Sequence, residues 1–145
     1  MVKKELIEEM IELQRRVDRD RRQYELDAWM HLNLGLGQLK SLFFISNRGS
    51  TSLGKLAAAL GVTPTNTTGI VDRLLERKLI TRTESPDDRR VLVLRTTPRG
   101  EELVAELRQK RKERMTEIFS RLTDDEASIV VQALKFMVKS IELES

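Results

Sequence analysis

Residues 63–100 constrain the fold of this chain more than any other segment, because a helical pattern and two β-rich runs follow one another there. An apolar stripe at helical spacing begins just after Thr63 and Pro64. A threonine hydroxyl can accept a backbone N–H at a helix start, and proline at the first helical position loses no needed donor. The runs Ile80 to Glu84 and Val91 to Arg95 are rich in β-branched residues. This order predicts a capped helix followed by a β-hairpin.

The predicted helix has two chemically different sides. The side expected to face the core carries Ile70, Val71, Leu74, Leu75 and Leu79. The opposite side carries Thr65, Asn66, Thr68, Gly69 and Arg73. Hydroxyl, amide and guanidinium groups are the ones that read base edges in a major groove. This polar side, with Thr63 at its start, therefore predicts a DNA-contacting surface.

The segment between the two β-rich runs, Ser85 to Arg90, has the residues of a turn. It places Arg89 and Arg90 at the tip of the hairpin. Arginine on an extended loop can enter a narrow minor groove, where the negative potential is enhanced. We expect these two arginines to bind DNA and Asp88 to orient one of them. A solvated surface turn is the alternative interpretation.

A second helical pattern lies immediately upstream. Its apolar positions are Leu53, Leu56, Ala57 and Leu60. Either Thr51 or Ser52 can cap this helix, and Gly61 can end it. Two helices joined by a tight glycine-containing turn match a helix-turn-helix, in which the second helix reads DNA. Together with the hairpin, the pattern predicts a winged helix-turn-helix.

The charge is concentrated in the same part of the chain. Residues 34–100 contain 11 Lys and Arg against 5 Asp and Glu, a net charge of +6, whereas the two flanks together carry −3. A basic centre between acidic flanks is typical of a nucleic-acid-binding module.

The flanks are predicted to form long helices, because residues 1–34 and 101–145 contain neither Gly nor Pro. Pro98 is expected to open one helix, and Thr123 with Glu126 to cap the last one. Apolar residues recur at a spacing of three and four. They are Leu6, Met10, Leu13, Val17 and Tyr24 in the first flank, and Val130, Leu134, Met137 and Ile141 in the last. Such stripes either cover the chain's own core or form a seam with a second chain.

These segments together resemble the MarR (multiple antibiotic resistance regulator) family of transcriptional regulators. The resemblance rests on LGKLAAALGVTPTNTTGIVDRLLERKLITR, on Asp88, Arg89 and Arg90, and on Thr97 and Gly100. It implies a homodimer that binds a pseudo-palindromic operator, usually as a repressor, and that is often released by a small aromatic or phenolic ligand or by oxidation.

Two positions depart from the family pattern. Lys78 stands where the family usually has glycine, so the turn after the recognition helix must form without the residue that best adopts positive φ. Thr96 replaces the usual leucine before Thr97, which predicts a weaker core contact for the second wing strand.

A cluster of aromatic and polarisable side chains precedes the winged segment. Tyr24, Trp29, Met30 and His31 are candidates for lining a ligand cleft, of which we assign Tyr24, Trp29 and His31 to ligand binding. Packing in the core is the alternative for such a group.

Several other chemistries are not expected. The chain has no Cys, so a thiol-oxidation switch is excluded, and a single His cannot provide a zinc site. No phosphate-binding loop or nucleophilic motif is present, so we predict no enzyme, no cofactor and no metal. No apolar run reaches the length of a membrane span, and we expect a cytoplasmic protein that does not enter a membrane.

The sequence therefore predicts a mainly α fold with a small β-wing. Residues 1–33 and 101–145 would supply dimerisation helices on either side of a winged helix-turn-helix at 34–100. The leading function is a homodimeric, ligand-responsive repressor of double-stranded DNA, with half-sites about 10 bp apart. The alternatives are a winged-helix protein-interaction module and a DNA-binding protein that responds to no ligand.

Overall fold

The computed structural model describes residues 2–144 and confirms a mainly helical fold with a small antiparallel sheet. The described chain divides into two compact units. The winged unit is Glu25–Lys110, and the helical unit comprises the residues up to Tyr24 and those from Arg111 onward. The elements in chain order are α1 (Lys3–Trp29), α2 (Leu36–Arg48), β1 (Thr51–Ser52), α3 (Leu53–Leu60), α4 (Pro64–Glu76), β2 (Ile80–Glu84), β3 (Leu92–Thr96), α5 (Pro98–Ser120) and α6 (Asp124–Glu142).

The core of the winged unit is one apolar cluster drawn from helices and sheet alike. It consists of Leu42, Ile45, Leu56, Val71, Leu74, Leu79, Ile80, Leu94 and Val104. Two of these, Leu42 and Ile45, come from α2, a helix that the sequence patterns did not predict. Helix α2 begins at Leu36, and its N-cap residue Gly35 has no side chain to cap it; the Gln38 side chain instead accepts the Gly35 N–H at 3.0 Å. A start without Ser, Thr, Asp or Asn gives no local signal.

The helix-turn-helix is set by two caps and one glycine. Ser52, rather than Thr51, caps α3, because its hydroxyl accepts the Lys55 N–H at 3.2 Å. Gly61 ends α3 with a φ of 66°, in the left-handed region that favours glycine. Thr63 caps α4 by accepting the Asn66 N–H at 3.3 Å, as predicted.

The turn after α4 forms a two-bond helix-ending motif around a lysine. The N–H of Lys78 donates to the Leu75 carbonyl, and that of Leu79 to the Leu74 carbonyl, each at 3.0 Å. Lys78 has a φ of 57°, so the predicted departure from glycine does place a lysine in a left-handed conformation. Because α4 ends at Glu76, Leu79 is buried in this turn and not on the helix itself, which corrects the sequence prediction.

Lys78→Gly is expected to stabilise the protein by about 0.5–1 kcal/mol, since relief of the left-handed strain exceeds the extra entropy of glycine in the unfolded chain. The free energy of unfolding in urea measures the effect. Lys78→Ala is the matched control, because alanine removes the same charge but keeps Cβ. Equal stability of the two variants would contradict the prediction.

The wing is a hairpin extended by a third, very short strand. The strand order is β1-β3-β2, with both pairs antiparallel. Strand β1 was not predicted, since two residues leave no periodicity to detect. Strand β3 starts at Leu92, one residue later than predicted, because the Val91 N–H turns into the loop and donates to the Asp88 carbonyl at 3.0 Å.

The start of α5 locks onto the turn after α4. The Thr97 hydroxyl donates to the Lys78 carbonyl at 2.7 Å and accepts the Gly100 N–H at 3.0 Å. Gly100 is buried, and a Cβ built there would lie 2.1 Å from the Leu79 carbonyl oxygen. Thr97 and Gly100 therefore act together. Thr97 forms the hydrogen bond to the turn, and Gly100, which has no side chain, lets the Leu79 backbone come close.

Thr96, the second departure from the family pattern, is half-buried and satisfied by a polar partner. Its hydroxyl donates to Glu101, whose other carboxylate oxygen accepts from the Ser46 hydroxyl at 3.1 Å. A polar link between β3, α5 and α2 thus stands where the leucine of the family pattern would make an apolar contact.

The helical unit lacks a core of its own. None of its described residues is buried, and neither α1 nor α6 contains a buried side chain. Within it, Arg114 donates to both oxygens of Asp20 at 2.9 and 2.7 Å. This hydrogen bond is the main cause that lowers the pKa of Asp20. Helix α6 opens with the predicted capping box, in which Thr123 and Glu126 exchange hydrogen bonds of 3.2 and 2.8 Å.

Candidate nucleic-acid interface

The outer face of α4 presents most of the polar groups expected there. Thr65, Asn66, Gly69 and Arg73 are exposed, and Thr63 is exposed at the helix start. Thr68 is half-buried, and its hydroxyl donates to the Pro64 carbonyl at 2.9 Å. The Thr68 oxygen thus keeps acceptor capacity only, whereas Asn66 and Arg73 can donate to base edges.

Two acidic residues share this face and were not among the predicted site residues. Asp72 and Glu76 are exposed. Asp72 lies about two helical turns after Thr65, and Glu76 about two turns after Gly69, so both are on the same side of the helix as these residues. Arg82 of β2 lies 3.5 Å from Asp72, and Arg73 lies 3.8 Å from Glu76. The helical period of the sequence would have been enough to place both carboxylates on the outer face. Their pairing with arginines limits the negative charge that the face would present to a phosphate backbone.

The tip of the wing is an arginine held by a carboxylate. Asp88 accepts the backbone N–H of Arg90 at 3.0 Å and its side-chain Nε at 3.2 Å. The Arg90 side chain remains 91% exposed, so the pair leaves the guanidinium available. Such an exposed ion pair adds little to the stability of the fold, and its effect is to restrict the direction of the Arg90 side chain. Arg89 is also exposed.

The predicted ligand residues are divided among three surroundings. Trp29 lines a cleft of about 600 Å³ with Asn33, Gln38, Gly69 and Arg73. His31 is exposed and lines a different groove with Leu32 and residues of α5. Tyr24 belongs to the helical unit, where the Arg114 guanidinium lies 5.6 Å from its ring centre. The structure therefore does not bring Trp29 and His31 into one cavity.

The dimerisation residues named from the sequence lie on α1 and α6 and are mostly exposed. Leu6, Met10 and Leu13 are 43, 58 and 50% exposed. Leu134, Met137 and Ile141 are 46, 50 and 64% exposed, and Val130 is half-buried. Six of these seven side chains are therefore exposed in the single chain.

Residues 2–144 contain neither a candidate metal site nor a helix that could span a membrane. No group of three or more His, Cys, Asp or Glu side chains is placed to hold a metal ion. No helix in the described range combines the length and apolar character that a membrane span requires.

Comparison with known proteins places these features in one family. The MarR family profile matches residues 34–92. The HTH-type transcriptional regulator YfiV of Bacillus subtilis is 26% identical over 118 residues, covering 81% of this chain and 74% of that protein. The HTH-type transcriptional repressor MdtR of the same organism is 35% identical over 89 residues, covering 61% and 57%.

A solved structure extends the likeness over nearly the whole chain. The transcriptional regulator Tm0710 of Thermotoga maritima superposes with a TM-score of 0.86 at 26% identity, covering 94% of this chain and 96% of that one. Members of the matched family are transcriptional regulators and not enzymes, in agreement with the absence of catalytic motifs from the sequence. This chain therefore belongs to the MarR family of DNA-binding transcriptional regulators.

Proposed function

We propose that this chain is a homodimeric repressor that binds a pseudo-palindromic operator. The observation that carries the dimer is the helical unit, in which no described residue is buried while large apolar side chains line α1 and α6. Long amphipathic helices obtain most of their stability from packing of the apolar face. A second copy of the chain supplies that packing, because the two stripes would then cover each other.

DNA binding by the dimer uses the two copies of α4 as recognition helices, and we call the outer face of each one the reading face. A two-fold axis places them in successive major grooves, so the half-sites lie about 10 bp apart. Thr63, Thr65, Asn66, Thr68, Gly69 and Arg73 would contact the major groove. Arg89 and Arg90 would contact the minor groove on each side, with Arg90 directed by Asp88. Similarity to the repressor MdtR supports repression as the outcome.

The wing variant tests the DNA-binding part of the proposal. Arg89→Ala with Arg90→Ala is expected to weaken operator binding about 100-fold. It should also reduce the slope of log affinity against log salt concentration by about two for each arginine. Each substitution removes one charge from both subunits of the dimer. Fluorescence anisotropy at several salt concentrations measures both quantities.

The control for this variant is Arg16→Ala with Arg19→Ala, which removes two exposed arginines from α1. We expect it to keep the affinity and the salt dependence of the original protein. An unchanged affinity in the wing variant, with the dimer intact by size-exclusion chromatography, would remove the wing from the mechanism.

The regulatory part of the proposal is release by a small aromatic acid at the cleft beside Trp29. Its walls pair an aromatic side chain with Arg73 and an amide, groups that suit a ring bearing a carboxylate. Because Gly69 and Arg73 line the same cleft, an occupant would compete with DNA for them. Titration of a phenolic acid should quench the fluorescence of Trp29, the chain's one tryptophan. It should also lower operator affinity. A flat titration across a panel of such acids would contradict this part.

A further inference from the structure

Arg77 links the end of the recognition helix to a distant turn of the chain. It is the C-terminal cap residue of α4, and its side chain is half-buried. Its Nη1 donates to the carbonyl oxygen of Leu32 at 2.5 Å and to that of Asn33 at 3.1 Å. Both acceptors lie in the turn between α1 and α2. A charged donor thus satisfies two carbonyls 45 and 44 residues away in sequence.

The geometry at both ends of this link is fixed. On one side, the helix-ending motif at Leu75, Lys78 and Leu79 sets the backbone around Arg77. On the other, Asn33 has a φ of 53°, a left-handed conformation that asparagine tolerates. Leu32 and Asn33 lie in a turn, where no helical N–H pairs with their carbonyls, and the Arg77 guanidinium supplies a charged donor for both. The link is therefore a specific contact and not a side chain resting on a surface.

The turn that Arg77 holds also borders the reading face. Asn33 and Trp29 line the cleft of about 600 Å³ together with Gly69 and Arg73 of α4. Helix α1 runs without interruption from Lys3 to Trp29, so it connects the proposed dimer helices to this turn. A shift of the turn relative to α4 would change the direction in which the reading face points.

We propose that Arg77 is a positioning residue, which fixes the recognition helix against the turn after α1 and so sets the operator affinity without touching DNA. The inference rests on the proposed operator binding. The contact between Arg77 and the turn is also the route by which a change at the end of α1 would reach the recognition helix. Allosteric coupling requires a structural element whose equilibrium both sites influence.

Arg77→Met and Arg77→Lys form the test pair. Methionine keeps most of the apolar stem but has no donor, whereas lysine keeps the charge and can reach a carbonyl. We expect Arg77→Met to weaken operator binding about tenfold, with the salt dependence unchanged, and Arg77→Lys to restore most of the affinity. Affinity is measured by anisotropy below the unfolding temperature of every variant, so loss of folded protein does not contribute.

Trp29 gives a second readout that needs no DNA. Because Trp29 and Asn33 border the same cleft, release of the turn in Arg77→Met should increase acrylamide quenching of Trp29 fluorescence. Arg99→Met is the matched control. Arg99 lines the pocket that contains Arg77 and Leu32, and among residues 2–144 no hydrogen bond joins it to the turn. Arg99→Met should leave quenching and affinity unchanged.

Three results would overturn the inference. The affinity of Arg77→Met could equal that of the original protein, or its quenching could be unaltered. Alternatively, its salt dependence could fall as for a lost phosphate contact, which would make Arg77 a DNA ligand. Failure of the proposed function is distinct, because the unsubstituted protein would then show no specific operator binding, whereas the Trp29 measurement would still report on the turn.

Discussion

Gly100→Ala is expected to destabilise the winged unit by about 3 kcal/mol, a large part of the stability of a small domain. The added Cβ would lie 2.1 Å from the Leu79 carbonyl oxygen, which is backbone and cannot rotate away. That carbonyl also accepts the Thr97 N–H at 3.0 Å, and Leu79 itself is buried in the core. Relief of the clash would therefore break the contact between the start of α5 and the turn after α4.

Chemical unfolding followed by circular dichroism measures this effect, with Gly54→Ala as the matched control. Gly54 lies in the first turn of α3, and a Cβ built there meets nothing within 4 Å. Alanine should stabilise the helix at that position by up to about 0.5 kcal/mol. Opposite signs for the same chemical change would show that close backbone approach is the cause. If Gly100→Ala unfolded at the same denaturant concentration as the original protein, the account of the Thr97 and Gly100 pair would be wrong.

Leu134→Glu or Met137→Glu is expected to dissociate the dimer and abolish operator binding together. Both side chains are about half exposed in the single chain, so a carboxylate there meets water in the monomer. In the proposed dimer the same carboxylate would be buried without a partner, at a cost of several kcal/mol in each subunit. Operator binding falls with it, because the two half-sites reinforce each other only when the subunits are joined.

Sedimentation equilibrium and anisotropy on the same samples measure the two effects. Gln132→Glu is the control, since Gln132 is an exposed polar residue of the same helix and gains the same charge. We expect it to remain a dimer with its affinity intact. A Leu134→Glu monomer that still bound the operator tightly would refute the link between dimer and DNA binding.

Local chemistry determined which elements could be predicted from the sequence. The recognition helix and the wing were predictable because Thr63, Pro64 and the arginine-bearing turn act on neighbouring residues. Helix α2 escaped prediction because its N-cap residue, Gly35, has no side chain to cap the helix, and β1 because it is only two residues long. Strand β3 was shifted by one residue, since a loop hydrogen bond, and not propensity, fixes its start.

Contacts between residues far apart in sequence are the part of the candidate site that could not be predicted. Lys78 could be recognised as unusual from the family resemblance, and its positive φ follows from the same reasoning. The bonds from Arg77 to Leu32 and Asn33 could not, because nothing in the local sequence specifies acceptors so far away. Trp29 and His31 are close in sequence, yet they line different cavities on account of the turn that follows α1.

Recognition of a specific operator by a dimer of this chain can be measured by titrating the protein into a duplex taken from the DNA upstream of its own gene. A scrambled duplex of equal length and composition serves as reference, and anisotropy is read at two salt concentrations. We expect two chains bound per site, affinity for the native duplex well above that for the scrambled one, and a steep loss of affinity with salt. Equal binding to both duplexes, or binding by one chain alone, would contradict it.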